Sequence, residues 1–482
     1  MSGHPLDVIL HPNSIAVAGA SGEGRGGGFL SPLLELGFKG KIYPVNPKYA
    51  GQQIMGLQTY ATVRDIPGPV DFVISSIPAT QVLSLLDDCA AKGVKGIHFF
   101  TARFSETGRP EAAELEREVL RRAKAANIRL IGPNCMGVYY PAWGVSFNNG
   151  MPKISGHIGC ASQSGSAVHE IVDLAATKGC YFTKAISYGN AIDLNECDYL
   201  EYYAQDEETK VIVMYIEGVR DGPRFFRTLR ETTLKKPVVI IKGGRGKAGT
   251  RATASHTASL AGAMEIWHTM VRQAGAVEVA TMEELIEVAA AFYFLPPIYR
   301  NHAGVAGGSG GSSVMGADQC EEAGLNVVPL PVEIREELKR RGSPIWDWIG
   351  NPADFSISME SFNTGEIVQL MSEHPNFDLM IMFMNPPHNF GPRRGPLPTM
   401  DEHLKRFGIG LLSKPLFVVL QDRGRSTMDD TGENMKKYIE FRDQLIELNL
   451  PTYPTIGSAA NAAAKMVGYY ENRSRALASA CI

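Results

Sequence analysis

The chain has 482 residues, roughly three times the length of a typical domain, so two to four domains are expected. With 44% hydrophobic residues, 20% charged residues and a formal net charge of -4, it has the composition of a soluble globular protein. No basic stripe indicates nucleic acid or a membrane surface. The seven cysteines form no CxxC pair, which argues against disulfides and a zinc site. No signal-peptide pattern or membrane-length apolar run is apparent, so a reducing cytoplasm is expected.

Short β-branched runs alternate with amphipathic helical stretches, and this rhythm predicts βαβ units and an α/β fold with parallel sheets. In the first third of the chain, strands are predicted at residues 14–18, 41–45, 72–76, 96–100 and 129–131. This segment closes with the sequence GPNC at residues 132–135. The polar stretch from there to about Ser155 is predicted to be a linker.

A glycine-rich pattern occurs twice in the remainder of the chain. Residues 156–166 read GHIGCASQSGS and residues 301–311 read NHAGVAGGSGG, and His302 follows His157 by 145 residues. The likeness continues at slipped spacing, because VIVMYIE (211–217) resembles LMIMFMN (379–385) and KPVV (236–239) resembles KPLF (414–417). A repeat this long indicates duplicated domains, since solenoid repeats run about 20–50 residues. Coincidence between glycine-rich loops is the alternative, and agreement in order across three strands argues against it.

These patterns divide the chain near residues 150 and 298. The predicted domains are residues 1–150, which are Rossmann-like, and residues 151–297 and 298–482, which are both flavodoxin-like. Functional loops are expected at the carboxyl ends of their parallel strands, where open α/β sheets bind ligands.

The first domain carries a glycine-rich loop, GASGEGRGGG at residues 19–28, between a strand and a helix. Such a loop lets the backbone approach a phosphate at a helix N-terminus, although its spacing alone is a weak signal. The second strand ends in YPVNPK, with Lys48 where a dinucleotide site usually has an acid for the ribose hydroxyls. A lysine suits a ligand with an additional phosphate, so coenzyme A is favoured over NADP. A loop that merely turns is the third alternative.

The second domain has two features that indicate phosphoryl chemistry. SQSGS at residues 162–166 joins a strand to a helix and could hold an anion, although serine caps without a ligand are equally common. A cationic loop at residues 242–251 leads to His256 among small residues, which suits a histidine that accepts a phosphoryl group. Glu217 ends a strand at the same sheet edge and could fix the tautomer and charge of the imidazole. A surface histidine without function is the alternative for His256.

The third domain offers an internal comparison. It has Asn385 where Glu217 aligns, and its counterpart loop at residues 423–426 contains no histidine. The pair is therefore present in one copy and missing from the other, as expected if one copy alone does chemistry. Two other histidines, His98 in a strand and His169 on a helix, are predicted to be structural.

Together these motifs resemble the NDP-forming acyl-CoA synthetases, relatives of succinyl-CoA synthetase, over essentially the whole chain. The resemblance rests on GAS (19–21), YPVNPK (43–48), GPNC (132–135), SQSG (162–165), YIEG (215–218) and SHTASLAG (255–262). It implies that His256 is the phosphorylated histidine and that Glu217 orients it. The residues implied to open the helix that faces the phosphate are Ser164, Gly165 and Ser166. Those implied along coenzyme A are Gly19, Ser21, Val45, Lys48, Pro78, Asn134 and Cys135.

The activity implied by the resemblance is that of an acid–thiol ligase, which converts a carboxylic acid, coenzyme A and ATP into acyl-CoA, ADP and phosphate through an acyl phosphate. In this family ATP and Mg²⁺ bind an ATP-grasp module. This chain carries no such module, so an α-type subunit of a hetero-oligomer with an ATP-grasp β-type partner is expected. No metal site, nucleic acid or membrane partner is expected in this chain.

Three alternatives stay open. They are a family variant that couples thioester formation to lysis of the acid, an NADP-dependent reductase, and a coenzyme A-sensing scaffold without chemistry. The proline-rich loop at residues 385–396 is predicted to lie at an interface or over the acid site.

Overall fold

The structure is a computed structural model. It describes residues 4–21, 28–249, 251, 264–354, 364–384, 402, 404–405, 408–410, 412–421 and 432–480. His256, the proline-rich loop at 385–396 and the counterpart loop at 423–426 lie outside these residues. The chain divides into two compact units, Met1–Leu285 and Ile286–Ile482.

The first unit contains two α/β sheets and a small hairpin. Its strands are β1 (Ser14–Ala18), β2 (Lys41–Val45), β3 (Gln53–Ile54), β4 (Leu57–Gln58), β5 (Phe72–Ser75), β6 (Gly96–Phe99), β7 (Arg129–Ile131), β8 (Gly137–Tyr139), β9 (Ile158–Ser162), β10 (Phe182–Ser187), β11 (Val211–Ile216), β12 (Val238–Lys242) and β13 (Val277–Val279). Its helices are α1 (Asp7–Leu10), α2 (Leu30–Leu36), α3 (Val82–Lys92), α4 (Pro110–Ala125), α5 (Gly165–Thr177), α6 (Glu196–Gln205), α7 (Gly222–Thr233) and α8 (Met264–Gln273), and α9 (Met282–Phe294) contains the division between the units. Short 3-10 helices span Pro47–Tyr49, Ala79–Gln81, Ser105–Thr107 and Pro141–Trp143.

The first sheet has the order β2-β1-β5-β6-β7, with every pairing parallel. The five predicted strands are confirmed, and β5 and β6 end one residue earlier than expected, at Ser75 and Phe99. Strands β1, β5 and β6 are buried along their whole length. This explains their continuous apolar runs, since parallel strands are covered on both faces.

The second sheet has the order β13-β12-β11-β9-β10-β8, and all its strands are parallel except β8. Strand β8 lies in the stretch that was predicted to be a polar linker, and that prediction is wrong. The stretch pairs antiparallel with β10 and buries Tyr139, Tyr140 and Phe147. These aromatic residues provide enough apolar surface to cover a sheet edge, which a linker does not need.

The second unit contains β14 (Ala303–Ala306), β15 (Leu379–Met384), β16 (Leu416–Leu420) and β17 (Thr452–Tyr453), all parallel in that order. Its further helices are α10 (Gly310–Glu322), α11 (Val332–Arg340), α12 (Thr364–Glu373), α13 (Glu433–Glu447) and α14 (Ile456–Ala480). The order repeats that of the second sheet, except that its second strand is reduced to one bridge between His302 and Asn326.

The α/β class, with a Rossmann-like domain followed by flavodoxin-like domains, is confirmed. The domain boundaries at 150 and 298 stay predictions. In the described part of the chain, no helix combines the length and hydropathy that crossing a bilayer requires. The same residues include no cluster of three or more His, Cys, Asp or Glu side chains that could hold a metal ion.

Candidate active site

The carboxyl edge of the first sheet opens into a cavity of about 590 Å³. It lies where the strand order reverses between β1 and β5, which is where open α/β sheets bind ligands. Three residues predicted to lie along coenzyme A line it, namely Gly19, Val45 and Pro78. Gly19 has a φ of +87°, and a Cβ there would lie 2.8 Å from Ser76 Oγ, so the turn requires glycine.

Lys48 lies on the short 3-10 helix that follows β2. Asn46 fixes this turn, because its side-chain oxygen accepts a hydrogen bond from Lys48 N (3.0 Å) and its side-chain amide donates one to Ala20 O (2.8 Å). The turn that carries the lysine is thereby tied to the glycine-rich loop. The Lys48 side chain is exposed, with Nζ 4.8 Å from the centroid of the Tyr49 ring.

An acidic side chain also lines the cavity. Asp88 is paired with Arg64, whose Nε lies 2.7 Å from Asp88 Oδ1. Burial raises the pKa of Asp88, and the neighbouring guanidinium opposes that rise. The pairing offsets a negative charge in the cavity wall that would repel a ligand with several phosphates.

The turn at residues 132–136 follows β7 and reaches the second sheet. Met136 N donates a hydrogen bond to Ser187 Oγ (3.1 Å), and a Cβ on Gly165 would lie 2.5 Å from Met136 Cγ. Asn134 has a φ of 59°, and its side-chain amide donates to Asn190 Oδ1 at 3.5 Å. Asn134 therefore lies beside the start of α5, with β5 and β6 between its strand and the cavity's switch point.

The Cys135 thiol points into the first sheet. It is 4% exposed, its Sγ lies 3.8 Å from Phe99 O, and burial raises its pKa. His98 Nε2 lies 2.9 Å from Cys135 O, and burial lowers the pKa of His98 to about 4. The neutral imidazole therefore donates its proton to this carbonyl at physiological pH. Any contact of Cys135 with a ligand is left to its backbone.

Helix α5 begins at Gly165 and points its N-terminus at the carboxyl edge of the second sheet. Ser164 is its N-cap, and its Oγ accepts a hydrogen bond from Ala167 N (3.3 Å) and lies 3.1 Å from Ser166 Oγ. Ser166 is exposed, while Ser164 is half-buried. The hydroxyls and the N–H groups of the first turn can together bind an anion.

Glu217 follows β11, beside β9, where the strand order of the second sheet reverses. It is 6% exposed, and its Oε2 is buried without a hydrogen-bond partner among the residues that the structure describes. Buried polar atoms are normally satisfied, so this oxygen is available for a donor.

Gln163 holds the backbone on both sides of this carboxylate. Its side-chain oxygen accepts hydrogen bonds from Glu217 N and from Gly218 N (2.9 Å), and its amide donates to Gly218 O (3.0 Å). The link joins the ends of β9 and β11, so the anion-binding turn and the carboxylate move as one body.

Sequence reasoning assigned no role to two further side chains near Glu217. Lys242, at the end of β12, is 4% exposed and donates hydrogen bonds to Glu217 O (2.6 Å) and Gly243 O (2.5 Å). Burial, followed by the charge of Glu217, raises the pKa of Tyr215 to about 12. Comparison of the two duplicated segments could have found both, because they align with Leu420 and Phe383.

The structure thus groups the predicted residues at two places. Gly19, Val45 and Pro78 line the cavity, with Lys48 close by in sequence and Ser21 half-buried at the start of the glycine-rich loop. The second group lies at the edge of the second sheet and consists of Asn134, Cys135, Ser164, Gly165, Ser166 and Glu217.

Comparison with known proteins relates both sheets of the first unit to one enzyme family. Residues 13–141 match a family of CoA binding domains, and residues 155–292 match the succinyl-CoA ligase like flavodoxin domain. The chain is 35% identical to subunit alpha of the ADP-forming acetate–CoA ligase II of Pyrococcus furiosus, over 78% of this chain and 81% of that subunit. It is 37% identical to an ADP-forming acetate–CoA ligase of Methanocaldococcus jannaschii over 73% of this chain, but it spans only 49% of that protein.

A solved structure extends the similarity to both units. The dinucleotide-forming acetyl-coenzyme A synthetase 1 of Ca. Korarchaeum cryptofilum, in complex with phosphate and ADP, is 27% identical. It superposes with a TM-score of 0.82 over 99% of each chain.

Proposed function

The chain belongs to the family of ADP-forming acyl-CoA synthetases, and on that premise we propose that it is the α-type subunit of an acid–CoA ligase. In this proposal the enzyme converts a carboxylic acid, coenzyme A and ATP into acyl-CoA, ADP and phosphate. The chain spans about half the length of the first curated relatives it matches. The missing half is the ATP-binding part, which we assign to a partner subunit with an ATP-grasp fold that also binds Mg²⁺.

The observation that carries the proposal is the unpartnered oxygen of Glu217. A buried carboxylate oxygen calls for a donor, and the polypeptide from Gly243 onward leads to His256. We assign the imidazole N–H of His256 to this oxygen. The contact would fix the tautomer, leave the other ring nitrogen as nucleophile, and stabilise the positive charge that forms on phosphorylation.

The reaction then has three balanced steps. The His256 nitrogen attacks the γ-phosphorus of ATP, and ADP leaves. A carboxylate oxygen of the acid attacks phosphohistidine, and the imidazole leaves with its electron pair, which yields an acyl phosphate. The coenzyme A sulfur attacks the acyl carbon, the bond to phosphate oxygen breaks, and phosphate leaves. Ser164, Gly165 and Ser166 would bind the phosphoryl group, because N–H groups and hydroxyls there meet an anion without reorganisation.

Coenzyme A is assigned to the cavity of the first sheet and the edge that leads from it. The nucleotide end would lie at Gly19, Ser21, Val45 and Pro78, with Lys48 against its extra phosphate. The turn at Asn134 and Cys135 touches the start of α5 through Met136, so a ligand that follows this edge reaches the phosphate helix. The six described cysteines are buried and unpaired, which supports a reducing cytoplasm.

The proposal can be tested on this chain without its partner, because the reverse reaction needs no ATP. Labelled inorganic phosphate and acetyl-CoA should yield acetyl phosphate and then a labelled protein. The label should be labile in acid and stable in base, and cold acetate should remove it. A panel of other acyl-CoA thioesters would identify the acid. Absence of label with every thioester would reject the proposed function.

A further inference from the structure

Lys242 is a buried cation that the proposed reaction does not use. It lies at the end of β12, and its ammonium group donates to the carbonyl oxygens of Glu217 and Gly243, at 2.6 and 2.5 Å. It also lies 5.8 Å from the centroid of the Trp267 ring, and burial lowers its pKa. Because a buried charge costs free energy, its presence at this sheet edge needs a reason.

The third sheet shows that the fold does not require a lysine here. Lys242 pairs in register with Ile216, and the equivalent pair in the third sheet is Leu420 with Met384. Leu420 is fully buried, so an apolar side chain packs at this position in the same topology. The copy with leucine has asparagine at the position of Glu217.

A second lysine on the same strand shows the opposite pattern. Lys236, before the amino end of β12, also donates to two carbonyl oxygens, those of Tyr203 (2.7 Å) and Asp206 (2.5 Å). Its counterpart in the third segment is again a lysine, Lys414. The lysine at the amino end is therefore common to both copies, whereas the lysine at the carboxyl end accompanies Glu217.

We propose that Lys242 is a positioning residue for phosphoryl transfer, which clamps the Glu217 backbone to the start of the loop that carries His256. Its two hydrogen bonds connect the end of β11 to Gly243, the first residue after β12. Gly243 is packed closely against the carboxylate, since a Cβ there would lie 3.2 Å from Glu217 Cγ. The positive charge also favours the ionised carboxylate that accepts the imidazole proton. This inference rests on the proposed function.

The test compares Lys242→Leu, which copies the third sheet, with Lys236→Leu as a matched control on the same strand. Labelling from phosphate and acetyl-CoA gives the rate of phosphoenzyme formation, and calorimetric titration gives the affinity for coenzyme A. We expect Lys242→Leu to label roughly 10- to 100-fold more slowly with unchanged coenzyme A affinity, as for other misplaced catalytic groups. Lys236→Leu should lower the melting temperature and leave the labelling rate within about twofold.

The pH profile separates positioning from a general loss of stability. Among the described residues, the charged and titratable groups around Glu217 are Lys242 and Tyr215, with Glu170 on α5 acting on Tyr215. Removal of the cation raises the pKa of the carboxylate, so the acid limb of the labelling rate should move to higher pH in Lys242→Leu. Should that variant fail to fold, Lys242→Met, which keeps the unbranched chain, takes its place.

An unchanged rate and pH profile in a folded Lys242 variant would overturn the inference while wild-type labelling still supported the proposed function. If the wild-type chain is not labelled, the proposed function fails and the inference fails with it.

Discussion

The two sheets of the first unit share one strand order at their switch points yet finish differently at their carboxyl edges. In the first sheet, the strands diverge around a cavity of about 590 Å³, lined by a strained glycine and short loops. In the second sheet, the same region is filled by Gln163 and the buried Glu217, which are joined through hydrogen bonds. The topology provides the location in both cases, and the loop residues decide whether it receives a large ligand or fixes a reacting group.

The difference has a physical basis. A ligand with several phosphates stays partly hydrated, so an exposed lysine and a helix terminus suffice to bind it. Phosphoryl transfer instead needs groups held within a fraction of an ångström in a site of low dielectric. The buried carboxylate with its fixed backbone meets this second requirement. The comparison predicts that substitutions at the second edge change rates and that those at the first edge change affinity.

The largest expected effect is that of His256→Ala at the second edge. Phosphoenzyme should disappear altogether, because the nucleophile is missing. Coenzyme A affinity and the melting temperature should stay at wild-type values, since the ligand cavity is on the other sheet. The measurement is protein-bound label after incubation with labelled phosphate and acetyl-CoA. Label retained by the variant would show that another residue is phosphorylated.

Glu217→Gln should be next in size. Glutamine keeps the shape but not the charge that stabilises imidazolium, so labelling should slow by about 10²-fold or more, with coenzyme A affinity unchanged. The matched control is Glu170→Gln, an exposed carboxylate on α5. A rate equal to that of the control would mean that Glu217 supports only the sheet edge.

The sequence predicted the framework better than the details of either edge. Strand positions in the first sheet were readable because buried parallel strands are continuous β-branched runs bounded by turn residues. The role of residues 137–139 was not, since a three-residue edge strand carries too little pattern and its partner is distant in sequence. Cys135 looked available as part of a motif, but its side-chain direction depends on the fold.

The residues around Glu217 show the same limit. Gln163 and Lys242 act through backbone carbonyl and amide groups of other strands, and these contacts leave no periodic trace in the sequence. Alignment of the two duplicated segments does mark Lys242, because it differs from Leu420 while its neighbours stay apolar. Divergence between copies of one domain is therefore a better guide to the site than motif spacing.

Lys48→Ala tests the first edge and should change affinity without changing rate. A charged hydrogen bond to the 3′-phosphate at an exposed site contributes about 1–3 kcal/mol, so coenzyme A binding should weaken about 5- to 150-fold. Affinity for dephospho-coenzyme A should barely change. The control is Lys41→Ala, an exposed lysine at the other end of β2. Equal losses for both ligands would show that Lys48 does not read the phosphate, and tight NADP binding without coenzyme A binding would reverse the assignment of the domain.

The smallest effect is expected where the two edges meet, at His98. This residue belongs to the first sheet, and its neutral imidazole donates to Cys135 O in the turn that touches α5. Burial lowers its pKa from 6.5 to about 4. Between these pH values the unfolded chain binds a proton that the folded chain does not, so the free energy of unfolding decreases as the pH falls. The full contribution is present above pH 6.5 and is lost progressively below it.

His98→Gln removes this titration while it keeps an amide that can donate to the carbonyl. Between pH 7 and 5, the wild-type free energy of unfolding should fall by about 2 kcal/mol more than that of the variant, from one proton over about 1.5 pH units. Urea titrations at the two pH values measure the difference. Because labelling and coenzyme A binding at pH 7 depend on the neutral form, both should stay close to wild type. Parallel pH dependence in the two proteins would mean that His98 titrates normally and that the contact between the edges does not depend on it.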